Sequence, residues 1–344
     1  MRCLVVGAGF AGAVYSRELA EAGHQVEVID SRDHIAGNAY DFVNEHGIRV
    51  HKYGPHIFHT NNMRVVEWMS RFTDWVDYEH KVLAKHTDGQ FYVLPPNRDT
   101  VERIGKENIV DVFFRPYTKK MWDKDISELN PKILERVPVR EDENELYFPN
   151  DSFQKMPKEG YTAMFERIFD HENIKVSLGV DFDKSMEGDY DRVFNSMPID
   201  EYYEYQYGEL PYRSIQFDTV TISEEKVYET ATTNFTTYEG PTRVTEWKNF
   251  PLHGENESLT TLTYEYPCDY RDNNMERYYP VKDIDGVNQE VYSKYLSIEN
   301  EKVQFIGRCG TYQYLDMHQV INQSLAGVNR IIGNITEKSS LSYS

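Results

Sequence analysis

Gly7-Ala8-Gly9-Phe10-Ala11-Gly12 sets glycines at the first, third and sixth places of a hexapeptide, and Asp30 follows Gly7 by 23 residues. Between a strand and a helix, such glycines allow a tight turn, a close backbone approach to a pyrophosphate, and packing of the helix on the strand. The helix N-terminus then aims N–H donors at the phosphates, and an acid closing the second strand can accept from a ribose hydroxyl. Gly7, Gly9, Ala11, Gly12 and Asp30 are therefore candidates to hold a dinucleotide. A second chemistry is suggested by Arg136, Arg243 and Arg308 with Tyr147, Tyr279 and Tyr314, which stand out in an acidic chain. Guanidinium forks pair bidentately with phosphate oxygens and phenols add donors, so a nucleotide diphosphate would suit this set. Solvated surface charge and core tyrosine are the competing reading of each residue taken alone.

The elements needed to position these groups are legible in the pattern. Cys3 to Val6 reads as a strand, Ala11 to Ala22 as a helix and Val26 to Ile29 as a second strand. Apolar residues recur at three and four over about 61–75 and 98–122, which predicts a small helical unit. From 213 to 266 the pattern alternates, as in Ser214-Ile215-Gln216-Phe217, predicting antiparallel strands buried on one face. A helix near 286–297, a buried strand at Val303 to Ile306 and a helix from His318 to about Ile332 follow, with a frayed tail expected after Asn334. A parallel sheet begun at residue 3 needs further strands, and the middle of the chain does not offer them in sequence. Segments near 190 and 303–333 are expected to complete it, so the domains interleave.

Composition narrows the partners. The 344 residues are 40% hydrophobic, enough for a sizeable core, and 37 basic against 57 acidic side chains give a formal charge of −20, which repels polyanions and anionic membranes. Neither nucleic acid nor membrane is expected as a partner. Cys3, Cys268 and Cys309 form no CxxC pair and offer no disulfide framework or zinc spacing, so no metal is expected. No apolar run approaches ~18 residues, and the apolar start runs into glycines, so a cytoplasmic protein is expected.

Two resemblances sharpen this. Arg32-Asp33-His34-Ile35-Ala36-Gly37-Asn38 resembles the second fingerprint of FAD proteins of the glutathione-reductase-like class and favours FAD over a nicotinamide. The strings His51-Lys52-Tyr53-Gly54-Pro55-His56-Ile57-Phe58-His59-Thr60, Tyr117-Thr118-Lys119-Lys120-Met121-Trp122, Arg136-Val137-Pro138-Val139-Arg140, Gly160-Tyr161-Thr162, Tyr278-Tyr279-Pro280-Val281 and Gly307-Arg308-Cys309-Gly310 to Gln319 occur in order over nearly the whole chain. That set resembles bacterial UDP-galactopyranose mutases, a family that includes mutases of UDP-N-acetylgalactopyranose and dTDP-fucopyranose.

The resemblance implies an α/β fold, with a Rossmann-like FAD-binding domain, a small helical domain and an antiparallel β-sheet domain. The corresponding boundaries are 1–60 with about 185–200 and 300–344, then about 61–75 with 98–135, then about 76–97, 140–184 and 201–299. It implies an isomerase of nucleotide sugars serving cell-surface polysaccharide biosynthesis. FAD is active there only when reduced, its nitrogen attacks the anomeric carbon as UDP leaves, and the resulting flavin–sugar adduct opens and recloses without net redox. An external reductant, NAD(P)H or a flavin reductase, is implied as well.

By position in the motifs, Arg136 and Arg243 match arginines that hold the diphosphate, and Tyr147, Tyr279 and Tyr314 match tyrosines that contact it. Tyr117, Thr118 and Trp122 match the uridine side; Asn234 and Glu265 match positions near the sugar; Asp316 matches an active-site carboxylate, with a helix cap as the alternative. His56 matches a histidine against the flavin, with a hydrogen-bonded core histidine as the alternative. Ser31, Asn38, Ile57, Asn195, Ser196, Arg308, Met317, Gln319 and Val320 match the cofactor side.

The chain also departs from the pattern. The stretch from Leu94-Pro95-Pro96-Asn97 to Tyr117 is short for the family, which loosens the expectation of a homodimer formed through the helical domain. His80 stands where an asparagine facing the nucleotide is common, and Lys155 replaces a glycine. The charged segment Glu135 to Glu145 is expected to close over a charged substrate. Two other readings stay open: an FAD oxidoreductase sharing the first fingerprint, and a nucleotide-binding module without turnover.

Overall fold

The computed structural model describes residues 1–128, 139–281 and 285–341. Its amino-terminal strand, Arg2–Val6, lies in the middle of a five-stranded parallel sheet. Gln25–Asp30 and then Ile174–Leu178 lie on one side, Arg192–Asn195 and then Val303–Phe305 on the other. Leu4, Val5 and Val6 are buried because helices and loops cover both faces, the usual condition of a parallel sheet. The helix Phe10–Glu21 lies against the terminal helix Met317–Leu341. Their approach is close enough that a Cβ on Gly327 would strike the Tyr15 hydroxyl.

Two expectations are corrected here. Ile174–Leu178 falls within 140–184, a stretch placed in the antiparallel domain, yet it pairs in parallel with Gln25–Asp30 and so belongs to the cofactor sheet. As an edge strand it is only partly covered, with Lys175 and Leu178 exposed. The terminal helix does not fray after Asn334; its backbone stays helical to Leu341, since extending an existing helix costs little. The stretch 98–122 is helical as expected, in pieces: Arg98–Ile104 stops at Gly105 with φ +84°, and Arg115–Trp122 follows after tighter and wider turns.

The second sheet has seven strands in the order Tyr279–Pro280, Tyr212–Ile222, Thr260–Asp269, Arg243–Glu246, Thr232–Phe235, Val82–Lys85, Phe91–Leu94. All neighbours are antiparallel except Thr232–Phe235 beside Val82–Lys85. Register matters more than strand count. Asn234 pairs with Arg243, Arg243 with Glu265, and Glu265 with Phe217, so four residues stand in one row across the sheet on one face. A smaller antiparallel sheet has three strands in the order Phe58–Thr60, Phe153–Pro157, Trp75–Asp77.

Candidate active site

The glycine loop is closed as its sequence requires. Gly7 has φ +103°, and a Cβ there would strike Ser196 Oγ; a Cβ on Gly12 would strike the Gly7 carbonyl. Gly37 approaches Gly9 so closely that its Cβ would lie 2.9 Å from the Gly9 Cα. Two backbones thus meet in a narrow cradle at the N-terminus of Phe10–Glu21, where only glycine leaves space for a phosphate group. Asp30 Oδ2 accepts the Ala8 N–H at 2.7 Å and Oδ1 the Arg32 N–H at 2.9 Å, which fixes the carboxylate and leaves further lone pairs for a ribose.

From this cradle a cavity of about 920 Å³ runs to the row on the seven-stranded sheet. Of the residues singled out by sequence, Gly7, Gly9, Ala11, Gly12, Asp30, Ser31, Asn38, His56, Ile57, Ser196, Arg308, Met317 and Val320 line it. So do His80, Tyr117, Tyr147, Asn234, Arg243, Tyr314 and Asp316. Six others do not line it: Thr118, Trp122, Asn195, Glu265, Tyr279 and Gln319, the last of them exposed to solvent. Tyr279 is 1% exposed and donates its hydroxyl to the Met121 carbonyl at 2.5 Å, while its ring meets Trp122 edge-on at 5.1 Å. Both therefore seat the Arg115–Trp122 helix. Asn195 Oδ1 accepts the Met197 N–H, shaping the turn that presents Ser196. Gln319 Oε1 accepts the Asp316 N–H at 2.8 Å, so Gln319 reaches back to cap the terminal helix, and Asp316 stands at its N-cap, just before Met317, while still facing the cavity. Arg136 lies outside the described residues, as does most of the run leading from it toward Val139.

At the sheet end, Arg243 Nε donates to Glu265 Oε2 at 2.8 Å. Burial works against the charge on Arg243, but the adjacent carboxylate outweighs it and holds the guanidinium firmly protonated. Burial raises the pKa of Glu265 in turn, opposed by Arg243, and its other oxygen has no partner. Asn234 Oδ1 is likewise buried and unpartnered. Burial raises the pKa of Tyr117 and Tyr147, so both phenols remain donors. Arg308 packs over the rings of Tyr278 and Tyr314, 5.8 and 5.0 Å from their centroids, and its Nε is buried without a partner. Between the two ends stands His56, whose Nδ1 meets the Gly54 carbonyl at 2.9 Å. Burial, with Arg308 and Arg243 nearby, lowers its pKa to about 4, and the same causes, burial first and then Arg243 and His59, take His80 to about 3.

The cavity also holds residues that the sequence reading passed over. Val180, Asp181 and Phe182 follow the edge strand Ile174–Leu178, and the Val180 N–H bonds the Asp30 carbonyl at 2.9 Å. Recognising that strand as part of the cofactor sheet was the signal that would have found them. Arg32 and Arg277 also line the wall, Arg32 paired with Glu276 and Arg277 with Glu201. His59 stacks on Phe148 at 3.5 Å and pairs with Asp151 at 2.6 Å.

The cradle admits a flat dinucleotide and the unpartnered Arg308 Nε offers a donor on the same side, so these residues fit FAD. Comparison with known proteins agrees. The UDP-galactopyranose mutase family profile matches residues 112–314, and one for NAD(P)-binding Rossmann-like domains matches 5–72. A probable UDP-galactopyranose mutase of Klebsiella pneumoniae is 37% identical over 97% of this chain and 96% of its own. A dTDP-fucopyranose mutase of Escherichia coli is 31% identical over 98% of this chain and 100% of its own. Among solved structures, that of a reduced UDP-galactopyranose mutase has the same fold, with a TM-score of 0.72 at 15% identity over 96% of this chain and 94% of that one. A putrescine oxidase structure shares it more loosely, at 0.57 and 12% identity over 97% and 99%. With the glycine cradle, the arginine row and relatives matched along their full length, the chain belongs to the UDP-galactopyranose mutase family and is an FAD-dependent isomerase.

Proposed function

We propose that this mutase interconverts UDP-galactopyranose and UDP-galactofuranose with FAD in its reduced state. The observation that carries the reading is a single cavity with a glycine cradle at one end and Arg243 with Tyr117, Tyr147 and Tyr314 at the other. When reduced and bound, FAD supplies a nucleophilic nitrogen that can hold the anomeric carbon while the ring opens and recloses. The protein's task is then to stabilise the departing diphosphate and to orient the sugar. Arg243, kept protonated by Glu265, neutralises the leaving charge; the Tyr147 and Tyr314 phenols donate to its oxygens. Asn234 Oδ1, buried and unpartnered, is an acceptor for a sugar hydroxyl. His56 donates through Nδ1 to Gly54, so its Nε2 is an acceptor toward the cavity. The N-terminal N–H groups of the terminal helix favour negative charge at the cofactor.

A nicotinamide or a flavin reductase would deliver the electrons once, before many turnovers. Among the described residues no helix is long and apolar enough to cross a membrane. The three cysteines are free thiols, which fits work in the reducing cytoplasm. The test is incubation of the reduced enzyme with UDP-galactofuranose, following UDP-galactopyranose. Many turnovers without consumption of oxidant support the proposal, and oxidant consumed mole for mole with product refutes it. Parallel reactions with dTDP-fucose and UDP-N-acetylgalactosamine in both ring forms measure preference; a higher kcat/KM for either replaces UDP-galactose as the substrate.

A further inference from the structure

Three histidines outside the substrate row form a connected chain. The His56 backbone N–H points at His51 Nδ1 at 3.1 Å; His51 Nε2 faces His253 Nε2 at 3.2 Å; His253 Nδ1 faces the Pro251 carbonyl at 2.9 Å. Hydrogen-bond roles along it are forced. A backbone N–H only donates, so His51 Nδ1 accepts and its proton sits on Nε2. A carbonyl only accepts, so His253 carries its proton on Nδ1 and offers a lone pair at Nε2, matching the proton on His51. No alternative assignment satisfies all three contacts with neutral rings.

His51 is 1% and His253 3% exposed, and His51 is enclosed by Trp247, Phe250 and Tyr161, at 4.9, 6.3 and 5.7 Å between ring centroids. Burial holds both rings uncharged. The chain also joins two units. His51 ends the strand Arg49–His51, just before the loop that carries His56, whereas His253 follows the Arg243–Glu246 strand of the seven-stranded sheet. The Arg49 N–H adds a bond to the His253 carbonyl at 2.7 Å.

We infer that His51 and His253 are positioning residues for His56: the sheet that presents Arg243 is tied through two imidazoles to the backbone of the loop that faces the cofactor. Because His51 holds the His56 N–H, the His56 ring stays where its Gly54 contact leaves Nε2 open to the cavity. The inference rests on the reading of His56 as a residue beside FAD.

Its test begins with the holoenzyme labelled with 15N-histidine. The nitrogen shifts are expected to report an Nε2–H tautomer for His51 and an Nδ1–H tautomer for His253; the opposite tautomers overturn the inference without any reference to turnover. The second arm compares His253→Leu, His253→Gln and His56→Ala. His253→Leu removes the acceptor for His51, and a loop displaced by this loss is expected to lower kcat about tenfold with KM within about twofold. It is also expected to shift the visible flavin spectrum in the same direction as His56→Ala. His253→Gln, whose amide oxygen can accept from His51, is expected to recover most of both. The double variant His56→Ala/His253→Leu should be no slower than His56→Ala alone. A wild-type spectrum and kcat in His253→Leu, or losses that add in the double variant, overturn it. Should His253→Leu not fold, the tautomers and the His253→Gln spectrum decide. If the mutase reading itself fails, the flavin spectra still compare His253→Leu with His56→Ala, so the two failures are separable.

Discussion

The two ends of the cavity are built by opposite strategies. The cofactor end is local: Gly7, Gly9, Gly12 and Asp30 all fall within one strand–helix–strand unit, and backbone does most of the shaping. The sheet end is assembled from afar, since Asn234, Arg243 and Glu265 meet only because three strands pair in one register. A site made of backbone tolerates little added volume, whereas a site made of side chains in a row tolerates little loss of charge.

Substitutions at the two ends should therefore fail differently. The largest effect is expected for Gly12→Val, whose Cβ must displace the Gly7 carbonyl: the purified protein should be colourless and inactive, and full FAD absorbance in it would break the contrast. Arg243→Ala comes next. It should keep its FAD yet lose roughly 30- to 5,000-fold in kcat/KM, about 2–5 kcal/mol for a desolvated charge pair. It also strands the Glu265 carboxylate, so Arg243→Ala/Glu265→Gln should regain melting temperature without regaining turnover. A double variant that recovers turnover would show the arginine to be structural. Tyr147→Phe should cost about 1.5–3 kcal/mol in kcat/KM if its phenol bonds a charged phosphate, measured with the cofactor fully reduced. An unchanged value would move Tyr147 out of the diphosphate site.

The smallest effect concerns pH. His51, His80 and His253 are buried and His56 is half-buried against the cavity, all with pKa values below the ordinary 6.5, about 4 for His56 and His253 and about 3 for His80. The unfolded chain therefore takes up protons that the folded one refuses as pH falls below about 6.5. Stability should be level above that value and decline toward pH 4, read as a falling urea midpoint, and His80→Asn should soften the decline. No histidine inflection is expected in kcat/KM between pH 6 and 8; one near 6.5 that disappears in His56→Ala would place a charged ring in the cavity.

The same contrast explains what could be read from sequence. The cofactor end was legible because its signature is contiguous and each glycine has a steric reason. Arg243 was legible as one of a few arginines suited to a diphosphate, but its place in the site, and Asn234 altogether, came only through family resemblance, since no local pattern reveals which strands will pair. The edge strand Ile174–Leu178 was misplaced because a short, partly exposed strand carries no local sign of which sheet it joins, and with it went Val180 and Phe182. Tyr279 and Gln319 illustrate a further limit: a side chain adjacent in sequence to the wall can spend its polar atom on a helix end.

Lys120 braces the hairpin that carries the row. It is 9% exposed, and its amine donates to the Phe235 and Pro241 carbonyls at 3.0 and 2.9 Å, clasping both arms of the turn that leads from Asn234 to Arg243. A strand that slid by one residue would carry Arg243 to the outer face, and this clasp opposes such sliding. Anyone grafting a longer hairpin onto this scaffold should therefore insert between Thr237 and Gly240, beyond the lysine's grip, where added length can bulge into solvent without turning the guanidinium away.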